Sequence, residues 1–170
     1  MTKVHPGRYT ADVSEDGVVV FVIGMRINKL RKLRTWMPVA RAMGPMIEEL
    51  VSHPDKGMLG VEQSRQGRLF LLVQYWRSFE HLERFARATD DLHLPAWREF
   101  NRLVGTSGDV GIFHETYVVP AGGIECIYNN MPDYGLAKAV GRVAVAKRGQ
   151  AAAYRMGRAK TDEPAEPVPA

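Results

Sequence analysis

The chain has 170 residues, 45% of them hydrophobic and 25% charged, which suits one globular domain with a full core and leaves no room for two ordinary ones. A formal net charge of +4 and a sequence pI of about 9.3 are too mild for a nucleic-acid protein with a concentrated basic face. A lone cysteine, Cys126, excludes an internal disulfide and makes a reducing, cytoplasmic setting the expectation.

The first ten residues, MTKVHPGRYT, have no apolar h-region, so no secretory leader is expected. Residues 1–16 are polar and turn-rich and read as a loose N-terminal arm. The run GVVVFVIGMRI, 17–27, is continuous, apolar and β-branched, which predicts a strand buried on both faces. It is far shorter than a membrane span requires. The densest basic run follows, Lys29-Leu30-Arg31-Lys32-Leu33-Arg34, and reads as a solvated loop, with a phosphate or a membrane surface as lesser alternatives.

Thr35 is placed to cap a helix carrying Trp36, Val39, Ala40, Met43, Ile47, Leu50 and Val51 at three- and four-residue steps. Gly44 and Pro45 predict a kink in it. Residues 58–65 and 68–76 form a hairpin pattern across Gln66-Gly67. Ser78 caps a second helix with Phe79, Leu82, Phe85 and Ala86 on one side, interrupted at Thr89-Asp90-Asp91. LHLPAWREFNRL continues as a helical piece, with His93, Trp97, Phe100 and Val104 on one stripe.

GIFHETYVVP, 111–120, reads as a strand holding His114 and Glu115 side by side. Alternation puts Val110, Ile112, His114, Thr116 and Val118 on one face and Phe113, Glu115 and Tyr117 on the other. A short strand, 124–129, and a small-residue helix, about 135–146, complete a domain spanning 17–146. Residues 147–170, ending TDEPAEPVPA, read as a mobile tail.

The order β–α–β–β–α–β predicts an α+β fold of split-βαβ, ferredoxin-like type. Strands apolar on both sides leave one sheet face to cover, and a homodimer with a barrel-like core between two sheets does so. His93 and His114 both interrupt apolar faces. Buried polar groups cost roughly 1–3 kcal/mol unless paired, so two imidazoles here suit a metal, a haem or acid–base chemistry. Cys126 reads as a packed thiol and the eight methionines as core fill.

YWRSFEHLERFAR, LHLPAWREF, GIFHETYVVPAGGIECIYNNMP and GLA together resemble the monooxygenase af470-like family of the dimeric α+β barrel superfamily, over most of residues 17–140. The same segments are similar to the haem-binding half of the aldoxime dehydratases. There His93-Leu94, Phe113-His114-Glu115, Tyr128-Asn129 and Gly135-Leu136 match that family's motifs.

This second resemblance implies haem b with His93 as the proximal iron ligand and His114 as the distal acid/base. Trp97, Ile112, Thr116 and Leu72 would line the cofactor, and Arg26 is a second catalytic candidate. Glu115, on the opposite face, would pair with a helix or the partner subunit. The implied activity is that of a haem-dependent lyase or monooxygenase-like enzyme. One alternative is a cofactor-free monooxygenase or cyclase of secondary metabolism using His114, Asn129 and Trp36 on an apolar substrate. Another is a non-catalytic haem or small-molecule carrier. The expected partners are a small-molecule substrate and a second copy of the chain, with neither nucleic acid nor membrane.

Overall fold

The computed structural model describes residues 3–88 and 93–163, of His93 only the backbone. Asp90, Asp91 and the end of the predicted tail, 164–170, lie outside the described residues. In chain order the elements are β1 (Val4–Ala11), β2 (Val18–Ile27), α1 (Leu33–Ser52), β3 (Met58–Gln66), β4 (Leu69–Trp76), α2 (Phe79–Arg87) and α3 (His93–Leu103). They continue with β5 (Val110–Val119), β6 (Tyr128–Pro132), α4 (Gly135–Val140), β7 (Arg142–Ala144), α5 (Val145–Arg148) and α6 (Ala152–Arg155). These elements fall into two compact units, one formed by 19–117 and the other by 1–18 with 118–170.

The first unit carries a four-stranded sheet in the order β3-β4-β2-β5. With two helical crossovers, that order is the ferredoxin-like one. β2 pairs antiparallel with β4 from Val19↔Trp76 to Arg26↔Leu69, and β3 pairs antiparallel with β4 around a turn where Gly67 takes φ 58°. A left-handed backbone at that turn is cheap only for glycine.

One face of the sheet is closed by the helices. Val19, Met58 and Trp76 pack with Leu50 of α1 and with Leu82 and Phe85 of α2, and Phe21 and Val61 rest against this cluster. Further along the same face, Met25, Ile27 and Val110 pack with Val104, and Trp36, Phe70, Phe100 and Ile112 close around them. Each such side chain removed from water contributes roughly 1.5–3 kcal/mol. The buried Trp76 indole donates to Gln74 Oε1 at 2.9 Å, which pairs two polar groups inside the core.

α1 starts two residues before the expected Thr35 cap. Lys32 holds the cap position, with no side-chain cap bond, and its carbonyl accepts the Thr35 N–H at 2.9 Å. The helix runs on through Gly44 and Pro45 to Ser52. Ser78 caps α2 as expected, its hydroxyl accepting the His81 N–H. Among the described residues no helix is long and apolar enough to cross a membrane.

The second unit replaces the expected loose arm with a strand. β1 lies between β6 and β7 in a three-stranded sheet. The register shifts between His5 and Arg8, where Pro6 offers no N–H, and Gly7 (φ 85°) donates to Asn130 Oδ1 at 2.9 Å. Tyr9 is buried there and stacks on Tyr128 at 5.1 Å between ring centroids. The strand expected at 124–129 is β6, which starts at Tyr128 rather than at 124, and the small-residue helix stops at Val140 before Gly141 (φ 93°). Residues 147–163, expected to be mobile, are held in place. The Asp162 carboxylate accepts the N–H groups of Gln150 and Ala151 at 2.8 and 2.7 Å, and Arg155 is paired with Glu125.

Candidate functional site

β5 carries the candidate site. Ile112 packs with the helix-side cluster, so His114 and Thr116, two and four residues on, share that face. The His114 ring stands 5.6 Å from the Phe21 ring, centroid to centroid. Phe21 itself belongs to the helix-covered core, which fixes the side to which the imidazole points. Both histidine nitrogens are without a hydrogen-bond or ion-pair partner among the described residues.

Burial differs from the sequence expectation. His114, Glu115 and Thr116 are all exposed, because the helical cover closes over Val110 and Ile112 and does not reach the second half of β5. An exposed imidazole with both nitrogens free is able to hold or release a proton towards a bound molecule. Within the chain, Glu115 accepts a 2.6 Å hydrogen bond from the Tyr117 hydroxyl, on its own strand face. That bond holds the Tyr117 phenol above its ordinary pKa, since ionisation would set two negative oxygens against each other.

The other sequence candidates divide. Leu72 is buried on the helix side of β4, across from Ile23 of β2. Trp97 of α3 is 46% exposed and stacks on Phe100 at 5.3 Å, so it offers a ring to a ligand. Arg26 does not join His114. Met25 and Ile27 point into the helix-side core, so Arg26 between them faces the other side, where it is exposed and bonds Asn28 Oδ1. Trp36 is an anchor, its indole donating to the Leu30 carbonyl at 2.9 Å. Asn129 lies opposite Arg8 on β6. The His93 backbone opens α3, and its side chain lies outside the described residues.

Among the described residues no three His, Cys, Asp or Glu side chains are grouped to hold a metal ion. Haem asks less of the protein: one axial ligand, apolar walls and a group to meet what binds opposite. The free His114 imidazole, beside Phe21 and on the same face as Ile112, fits the last two requirements. Sequence reasoning missed Phe21 as the neighbour of His114, because that contact depends on the β2–β5 register.

The sheet order and helix-covered face define an α+β protein of ferredoxin-like architecture, with mixed helices and antiparallel sheets. Within that class the chain belongs to the monooxygenase af470-like family, whose model matches residues 18–136. It is 30% identical over 151 residues to the monooxygenase af470 of Aspergillus fumigatus, covering 76% of this chain and 53% of that protein. The chain thus spans about half the length of this curated relative.

Among solved structures it is similar to the aldoxime dehydratase OxdRE in complex with butyraldoxime, with a TM-score of 0.66 and 17% identity over 79% of this chain and 40% of that one. SnoaB, a cofactor-independent oxygenase from Streptomyces nogalater, aligns with a TM-score of 0.43 and 12% identity, over 59% of this chain and 90% of that one. Both resemblances read from the sequence motifs therefore recur in the comparisons.

Proposed function

We propose that the chain is a small-molecule enzyme that binds haem b through His93 and uses His114 as the distal acid/base. The observation that carries this reading is the exposed imidazole of His114, which rests against Phe21 and has no hydrogen-bond or ion-pair partner among the described residues. The motif match to the aldoxime dehydratases supports the assignment of His93, which opens α3. α3 and β5 leave a common turn and pack together through Phe100, Val104, Val110 and Ile112.

Haem, when bound, would supply an iron able to take an electron-rich nitrogen or oxygen of the substrate. The chain's own residues do the rest. Ile112, Leu72 and Phe21 would provide apolar wall, Trp97 would offer a ring, and His114 would hold a proton for a leaving hydroxyl or steer a dioxygen co-substrate. The reaction is then dehydration or oxygenation. A homodimer is part of this reading. The sheet face away from the helices carries Val20, Val22, Leu71 and Val73, half-buried, beside exposed Phe113 and Tyr117, and a second copy would cover it.

The test is an absorption spectrum of the protein purified after growth with haem precursor. A Soret band that disappears in His93→Ala and persists in His114→Ala is the expected result. Membership in a family named for a monooxygenase favours oxygenation over dehydration, and one other reading runs it without a cofactor, with His114 abstracting a proton from an apolar substrate. A colourless protein without haem affinity would select that reading.

A further inference from the structure

The loop between β2 and α1, residues 28–32, is rigidly held and yet turns leucine to solvent. The N–H groups of Asn28 and Lys29 both donate to the Asp109 carbonyl, at 3.0 and 3.1 Å. The Asn28 side chain donates to Gly108 O at 3.1 Å, and the Lys29 ammonium pairs with the Asp109 carboxylate at 2.7 Å. Trp36 Nε1 donates to the Leu30 carbonyl, fixing the loop from its other end. A segment anchored this firmly has no freedom to fold its apolar side chains inward. Leu30 remains 46% exposed, and Leu33, the first residue of α1, 50%.

Charge surrounds these leucines. Arg31, Lys32, Arg34 and Arg68 are all exposed, and a depression of about 480 Å³ is lined by Lys29, Leu30, Arg31, Lys32 and Arg68. No acidic residue occurs from Asn28 to Ile47. Lys29 is matched by Asp109, whereas Arg31, Lys32 and Arg34 have no ion-pair partner among the described residues.

We infer that this loop docks the protein on an anionic lipid surface. Leu30 and Leu33 enter the boundary between headgroups and acyl chains, and Arg31, Lys32, Arg34 and Arg68 meet the lipid phosphates. A free phosphate would use the cations and leave the leucines without a role. Two exposed leucines inside a ring of unpaired cations match a bilayer, which presents both chemistries at that depth. Such binding needs no spanning helix, and it takes up the membrane-surface alternative that the basic run leaves open in the sequence. It does not depend on the chemistry at His114.

The experiment is co-sedimentation of the full chain with vesicles of phosphatidylcholine alone and of phosphatidylcholine with phosphatidylserine, at low and high salt. Binding should need phosphatidylserine and weaken with salt. Arg31→Gln and Lys32→Gln should each reduce affinity roughly fivefold. Leu30→Ser with Leu33→Ser should abolish retention, and Leu30→Ser alone carries this arm if the double variant loses its near-ultraviolet circular dichroism. Absence of binding to the anionic vesicles overturns the inference, as does equal binding to both compositions. So does binding that inorganic phosphate displaces and the leucine substitutions leave untouched, which would mark a simple phosphate site.

Discussion

The His114 ring packs beside the Phe21 ring at 5.6 Å, with 37° between their planes, and its nitrogens have no partner among the described residues. An aromatic contact holds the imidazole without occupying the atoms that exchange protons. His114→Ala should therefore lower turnover by about 10²–10⁴-fold, the usual contribution of a positioned proton donor. Stability should fall by less than about 1 kcal/mol, since the side chain is exposed and loses only a ring contact. Kinetics and thermal melting of the same preparation check both halves. A large loss of stability with unchanged turnover would make His114 a structural residue.

Tyr117 provides a titration that can be assigned. Its hydroxyl donates to Glu115, which raises its pKa above the ordinary value of 10. A raised pKa means that the bond contributes fully below pH about 10 and is lost as pH climbs through the higher folded value. The difference in ultraviolet titration between the protein and Tyr117→Phe isolates this phenol from the other five tyrosines. In a Glu115→Gln background the Tyr117 transition should move back towards 10. An unmoved transition would show that Glu115 is not the cause.

Two glycines with opposite environments should respond oppositely to alanine. Gly17 sits at φ +81°, and an added Cβ would lie 2.2 Å from the Val119 carbonyl oxygen and 2.9 Å from Pro120 Cα. Both are backbone atoms with little room to give. Gly17→Ala should destabilise by roughly 2–4 kcal/mol, from left-handed strain and overpacking together. Gly44, inside α1, has nothing within 4 Å of an added Cβ, and Gly44→Ala should stabilise by roughly 0.5–1 kcal/mol. Denaturant unfolding of the pair measures both signs.

How far the sequence could be read depended on whether its signals were local. Strand alternation separates His114 from Glu115, and hydrogen bonding to Tyr117 on the second face agrees. The same logic fails for Arg26. GVVVFVIGMRI is apolar at odd and even positions alike, so nothing in the run says which parity meets the helices. Only the register with β4 and the cluster around Met25 and Ile27 decide it. β1 was hidden for a different reason. Pro6-Gly7 interrupts its alternation, and its partners β6 and β7 lie more than a hundred residues away. The second half of the candidate site was illegible because exposure of β5 depends on how far α1–α3 extend across it.

The segment after Lys147 shows the same limit and gives the last prediction. Composition reads its arginines as solvated, but the Arg155 side chain is only 7% exposed. It donates to the carbonyls of Gly149 and Gln150 at 2.9 and 2.7 Å and pairs with Glu125, while its Nε is buried with no partner among the described residues. Asp162 closes the same segment by accepting two backbone N–H groups, which hold its pKa below the ordinary 3.8. A depressed pKa means that this bond is intact at neutral pH and fails only as pH falls through the lower folded value. Arg155→Ala should free residues 149–163 while the helix-covered sheet stays folded. Trypsin should then cut early at Arg158 and Lys160, and amide exchange should rise in the segment alone. Unchanged cleavage at these two sites would show that Arg155 does not hold it.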